Sequence, residues 1–144
     1  MREILFRGKA INRGKGYHRT TYKNGDWVYG LIERLYDDDF PNIPATMRNT
    51  DGVSDIDIDY ATIGQYTGLT DINGKKFFEG DVVAGALIWQ EKRKNGLVSF
   101  KDGSFGLMWY RGGVEQFDAF TSMCNVEYEI IGNIHDNPDL LKGE

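Results

Sequence analysis

The chain has 144 residues, 40% of them hydrophobic, a formal net charge of −5 and one cysteine, Cys124. That length and apolar content suffice for a packed core without staples, and a lone cysteine closes no internal disulfide, so nothing demands an oxidising compartment and a cytoplasmic setting is expected. Eighteen glycines, eight tyrosines, eight phenylalanines and three tryptophans against three prolines favour short aromatic strands joined by glycine turns, an all-β chain.

The N-terminal MREILFRGKAINRGKGY carries charges inside its only apolar stretch. It has neither the continuous apolar run of a signal peptide nor the length of a membrane span, so no targeting and no membrane partner is expected. EILF at 3–6 and NGDWVYGLIERLY at 24–36 read as strands. In the second, Trp27, Tyr29 and Leu31 share one face and Val28 and Ile32 the other, and residues 27–32 are expected in the core. The glycine-punctuated stretch between them suits a loop and a short strand near Tyr22. Residues 37–52, DDDFPNIPATMRNTDG, hold two prolines and no sustained period, which predicts an irregular excursion.

DIDIDY at 55–60 alternates, with Asp55, Asp57 and Asp59 on one side and Ile56, Ile58 and Tyr60 on the other. Three carboxylates on one strand face invite a hard cation such as Ca²⁺ or Mg²⁺. Alternate side chains on a strand stand about 6.5–7 Å apart, wide for a shared ion, and an edge strand kept soluble and unpaired by its charges is the simpler reading. No metal site is assigned.

IGQYTGLTDINGKKFFEGDVV at 63–83 poses the choice between a binding loop and a hairpin. Asn73-Gly74 is a strong hairpin signal because both residues tolerate positive φ, and a primed two-residue turn is expected there. A phosphate loop would follow its glycine-lysine pair with Ser or Thr and a helix, whereas Gly74-Lys75 is followed by Lys76, Phe77 and Phe78. EGD at 79–81 is a second turn, leading Val82 and Val83 into a strand. Beyond it strands and turns alternate at short intervals, with further turn chemistry at Asn95-Gly96 and Asp102-Gly103, a final strand EYEIIGNI at 127–134, and a short helix capped by Asn137 with Pro138 first. At least four antiparallel strands are expected after residue 61, and no long helix anywhere.

Charge is unevenly spread. Up to residue 25 seven basic residues oppose Glu3 alone, a net of +6, and the remainder carries −11. A nucleic-acid arm, or a basic segment docking on an acidic surface of its own or a neighbouring copy, would both explain it, and the second is adopted. The nucleic-acid candidates are Arg13 and Lys15 in the N-terminal loop and Lys92, Arg93 and Lys94 at an expected hairpin tip. Trp89, Trp109, Tyr110, Phe105 and Phe117 would be their stacking partners, although small barrels more often bury such rings. His18 and His135 are far apart, and a Cys124–His135 pair has nothing to orient its base or to supply an oxyanion donor. No catalytic residue, cofactor or enzymatic activity is assigned.

Together, REILFRGKA, WVYGLI, the 63–83 block and EYEIIGNIHDNPDLL resemble the YopX family of phage and prophage proteins. The resemblance covers nearly the whole chain and implies an all-β protein: a small N-terminal β subdomain over 1–60, then an SH3-like β-barrel with a short helical tail over 61–144. It also implies a homo-oligomer, and it brings no catalytic residues. Residues 37–59 depart most from the family pattern. The expected function is a non-catalytic, homo-oligomeric protein-interaction module acting on a host or phage protein in the bacterial cytoplasm; nucleic-acid binding through the basic loops is the alternative.

Overall fold

The computed structural model of the chain describes residues 3–12, 22–35, 45–84, 87–88, 91–92, 95–120 and 128–141, the pairs 87–88 and 91–92 in their backbone only. The chain divides into two compact units, residues 1–65 and 66–144. Strands dominate both, and the described helical segments are single 3-10 turns. No helix among the described residues is long and apolar enough to cross a membrane.

In the first unit β1 (Phe6–Lys9), β2 (Trp27–Arg34), β3 (Ala45–Asn49) and β4 (Ile56–Ile58) pair antiparallel in chain order. On the other side of β1, Phe6 and Arg7 pair with Gln65 and Gly64, the start of β5 (Gly64–Thr70). Period-2 alternation sets what each strand buries. Val28, Met47, Ile56 and Ile58 point inward with Ala10 and Ala45, and Phe6, Tyr22, Ile32 and Ile63 pack around them. The expected strand at 3–6 begins only at Phe6. Gly8 then occupies the inward position opposite Val28, where a Cβ would run into the Ile58 side chain.

Three expectations for this unit change. Residues 27–32 are not uniformly core: Val28 and Gly30 are buried, but Tyr29 is 40% and Leu31 52% exposed, because one face of a pleated strand can be solvated while the other packs. The excursion contains a strand, β3, whose Ala45 and Met47 alternate into the core; residues 36–44 lie outside the described residues. Lastly, β4 is not an unpaired edge. Beyond β3 it meets the chain that follows β1: Ile11 donates to the Asp57 carbonyl at 2.8 Å, Asp59 donates to the Lys9 carbonyl at 2.9 Å, and Ala10 bridges Ile58. The sheet therefore curls until its first and fourth strands touch at one end.

In the second unit the latter part of β5 pairs with β6 (Lys76–Phe78). A five-stranded antiparallel sheet follows, in the order β12 (Val114–Ala119), β11 (Ser104–Arg111), β10 (Gly96–Lys101), β7 (Asp81–Val83), β13 (Ile130–Asn133). A separate two-stranded ribbon is made of β8 (Leu87–Ile88) and β9 (Glu91–Lys92). Phe77, Val83, Val98 and Leu107 form the core, with Leu69, Phe120, Tyr128 and Ile130 against them. The Phe77 and Phe120 rings stack 6.0 Å apart. Among the described residues the five strands form an open sheet rather than a closed barrel. The C-terminal segment Pro138–Leu141 is a single 3-10 turn with Pro138 first, as expected, but the Asn137 Oδ1 accepts from the Asn133 N–H at 3.3 Å while its carbonyl accepts from Leu140 at 3.1 Å; the Leu140 carbonyl accepts from Asn95 Nδ2 at 3.0 Å.

Candidate functional site

The 63–83 stretch is a hairpin, built differently from the expected primed turn. Gly74 has φ +81° while Asn73 keeps negative φ. Gly74 donates to the Asp71 carbonyl at 3.0 Å and Asp71 donates to the Lys75 carbonyl at 2.7 Å, so three residues form the loop and a glycine bulge closes it. The cause is the Asp71 side chain, only 6% exposed. Its Oδ1 accepts from the backbone N–H of Asn73 at 2.9 Å and of Lys75 at 2.8 Å, and its Oδ2 accepts from Ile130 at 3.2 Å. One carboxylate thus folds the turn and ties it to β13. Burial pulls its pKa upward, but the backbone donors at Lys75, Ile130 and Asn73, helped by the Lys75 charge, hold it below the ordinary value of 3.8. Sequence reading assigned Asp71 no role in the turn. The visible signal was Asp followed two residues later by Asn-Gly, the pattern of an aspartate accepting from its own turn.

Primed turns do occur, at Asp102-Gly103 with φ +51° and +81°, and at Gly112-Gly113 with φ +58° and +79°. These join Lys101 to Ser104 and Arg111 to Val114. Asn95-Gly96 is no turn: Gly96 opens β10 opposite Val83.

The three carboxylates of DIDIDY do not gather. Asp59 caps the 3-10 turn Tyr60–Thr62 by accepting from Ala61 at 3.1 Å, and Asp55, at φ +57°, donates its N–H to Glu33 at 2.7 Å. Among the described residues no three His, Cys, Asp or Glu side chains are grouped to hold a metal.

Of the basic candidates, Arg13, Lys15, Arg93 and Lys94 lie outside the described residues, and Lys92 is described only as backbone in β9. Cys124, His18 and Trp89 also lie outside them. His135 sits beside Gly80, whose added Cβ would stand 3.4 Å from Nε2. The remaining aromatic candidates divide between interior and surface. Trp109 is half-buried and donates Nε1–H to Asp118 at 3.0 Å; Phe105 packs edge-on against Phe100 at 5.0 Å; Tyr110 is 39% exposed.

A second group went unseen in the sequence because it crosses three strands. Register places Lys9 opposite Trp27, Arg7 opposite Tyr29, and Arg48 opposite Leu31 on the face of β1, β2 and β3 turned away from Val28 and Met47, where Arg7 is itself only 6% exposed. The Arg7 guanidinium lies 4.6 Å and the Lys9 ammonium 5.4 Å from the Trp27 ring centre, within reach of a cation–π attraction.

These features stand on an all-β protein of two antiparallel sheets. The chain belongs to the YopX family: the family model, described as YopX protein, matches residues 14–142. Among solved structures it is similar to the crystal structure of protein EF1440 from Enterococcus faecalis, at 23% identity and a TM-score of 0.53, over 97% of this chain and 99% of that one. At that identity the likeness concerns the fold. No curated protein matches.

Proposed function

We propose that this protein is encoded by a phage or prophage and acts in the bacterial cytoplasm as a non-catalytic interaction module that assembles with copies of itself, the second unit being an open variant of an SH3-type sheet. The supporting observation is β12, which ends the five-stranded sheet among the described residues and starts at Val114, 61% exposed. A terminal strand presents backbone donors and acceptors to any strand that can align with it. Antiparallel self-pairing about a two-fold axis at Gln116 would set Glu115 across from Phe117, so that no like charges face each other. The Lys101–Glu115 ion pair at 3.7 Å, with both side chains about half exposed, adds little to stability and leaves the edge approachable.

The test places like charges on that axis. Gln116→Glu and Gln116→Lys each lower the mass seen by light scattering, and mixing the two restores it. A wild-type chain that is monomeric at all concentrations, or two variants that assemble like wild type, refutes the proposal.

A further inference from the structure

The two ends of the five-stranded sheet are finished differently. β12 runs against β11 in unbroken register, from Ala119 opposite Gly106 to Val114 opposite Arg111. Phe120 donates to the Phe105 carbonyl at 2.8 Å, on the β11 side, and alternation from there turns the backbone groups of Glu115 and Phe117 outward. Those are the residues that the two-fold at Gln116 brings together. Among the described residues no backbone hydrogen bond from outside the sheet reaches either of them.

At the other end β13 is bulged between Ile130 and Gly132, which breaks the even ladder that a further strand needs. On the β7 side the Glu129 carbonyl accepts from Ala84 at 3.0 Å and Ile134 donates to the Gly80 carbonyl at 2.8 Å. Tyr128, Ile130 and Asn133 therefore turn their backbone groups away from β7. Each is met by the protein's own chain. The Tyr128 carbonyl accepts from Ile72 at 3.0 Å, and the Ile130 N–H donates to Asp71 Oδ2 at 3.2 Å. Asn133 donates to Asn137 Oδ1 at 3.3 Å while its carbonyl accepts from the Asn137 N–H at 2.8 Å. The hairpin turn seals one half of this edge and the C-terminal turn seals the other. Gly132 lets the second seal approach, because a Cβ there would run into the Asn137 and Leu140 side chains.

Among the described residues the sheet thus has one open edge and one sealed edge, and such a sheet can join a copy of itself only once. Pairing two β12 strands about a two-fold uses both open edges and leaves a sealed β13 at each end, whereas two open edges per copy would permit continued addition. We infer that self-assembly through β12 stops at two copies because residues 71–72 and Asn137 seal β13, and that unsealing β13 turns the closed dimer into a growing chain of sheets. This rests on the self-association proposed above and deepens it, naming the size of the assembly and what limits it.

The experiment follows mass by light scattering across concentration, with electron microscopy of the same samples, for wild type, Asn137→Ala, Asp71→Ala and the double variant. Wild type levels off at twice the chain mass. Each single variant rises past that plateau, and the double variant rises without levelling and gives filaments. Far-ultraviolet circular dichroism well below the melting temperature shows which variants are folded; Asn137→Ala, which keeps the Asp71 turn, carries the test if Asp71→Ala does not fold. Gly103→Ala controls for lost stability: it strains the β10–β11 turn at positive φ, meets open space and leaves β13 sealed, so it stays dimeric. Wild-type chain mixed into the double variant shortens the filaments, since a sealed copy adds by its β12 and offers no edge to the next. Unsealed variants that remain dimeric overturn this inference and leave the β12 reading standing. So does a wild type that grows past two copies, a Gly103→Ala variant that grows like the unsealed ones, or filaments indifferent to wild type. A wild type that is monomeric at every concentration removes the β12 reading and this inference with it.

Discussion

Removing the Asp71 carboxylate is the sharpest perturbation of the second unit. Asp71→Ala leaves three backbone N–H groups, those of Asn73, Lys75 and Ile130, without their charged acceptor. A hydrogen bond to a charged group is worth about 1.5–3 kcal/mol net, and a buried donor left unsatisfied costs about 1–3 kcal/mol. Asn73 and Lys75 lie at an exposed turn where water can replace the lost acceptor, whereas Ile130 is half-buried in β13. Charging the full penalty to Ile130 and a fraction to each turn donor gives a loss of about 2–4 kcal/mol. Asp71→Asn keeps one acceptor oxygen and loses about half of that. The pH dependence has a definite sign. With the folded-state pKa below 3.8, the carboxylate's contribution is complete above the unfolded value, and it is lost as pH falls from about 4 through the lowered pKa. Urea unfolding at pH 7 and at several acid values reads both effects: the midpoint drops at constant slope in the alanine variant, and the acid decline is shallower in Asp71→Asn than in wild type. A loss below about 1 kcal/mol at pH 7, or superimposable acid limbs, would refute the assignment of Asp71 as the tie between the turn and β13.

Two glycine substitutions separate conformational strain from steric conflict. Gly74 has φ +81° and open space around an added Cβ, so Gly74→Ala costs about 1 kcal/mol, all of it backbone strain, and the melting temperature falls modestly. At Gly30 an added Cβ would collide with the Arg48 carbonyl on β3, so Gly30→Ala displaces one strand from the other and lowers the melting temperature several times further. Equal losses at the two sites would contradict the β2–β3 register. In the N-terminal basic segment, Arg13→Glu with Lys15→Glu is expected to shift the oligomer distribution in light scattering more than it changes nucleic-acid retention on filters, while Lys92→Glu with Arg93→Glu alters neither strongly. Retained assembly with a lost, salt-sensitive nucleic-acid affinity in both double variants would reverse that assignment.

Much of the architecture was legible because it depends on local alternation. Alternation set Ile56, Ile58 and Tyr60 on one side of DIDIDY, and the two isoleucines are essentially inaccessible in the structure while Tyr60, past the end of the strand, is 52% exposed. Turn signals were read correctly at Asp102-Gly103 and at Glu79-Gly80, but Asn95-Gly96 is no turn and the turn at Asn73-Gly74 is of another type. Asp102-Gly103 forms the primed turn expected of Asn73-Gly74, because the dipeptide only permits positive φ and the surroundings decide whether it is used. Asp71 decided it at the first hairpin, through a partner 59 residues away that no local window contains. The strand at 45–49 was missed for a related reason. ATMRN has one β-branched residue and follows Pro41 and Pro44, so its strand conformation comes from pairing with β2 and β4 rather than from propensity. The grouping of Arg7 and Lys9 over Trp27 was invisible because its members come from two strands and adjoin only after pairing.

The closure of the first unit bears directly on that group. Lys9 ends β1, and its carbonyl accepts from Asp59 at 2.9 Å while its N–H donates to the Thr62 hydroxyl at 2.8 Å. Two residues on, Ile11 is tied to Asp57. The backbone beneath the Lys9 side chain is thus held from both its donor and its acceptor, and the same contacts draw β4 toward β1. Tyr29 lies over an equally constrained support, since Gly30 beside it admits no side chain against β3. The inward residues that close the sheet therefore also set its other face, and a substitution in the core at Ile58 would loosen the contact between Lys9 and Trp27 without changing either residue.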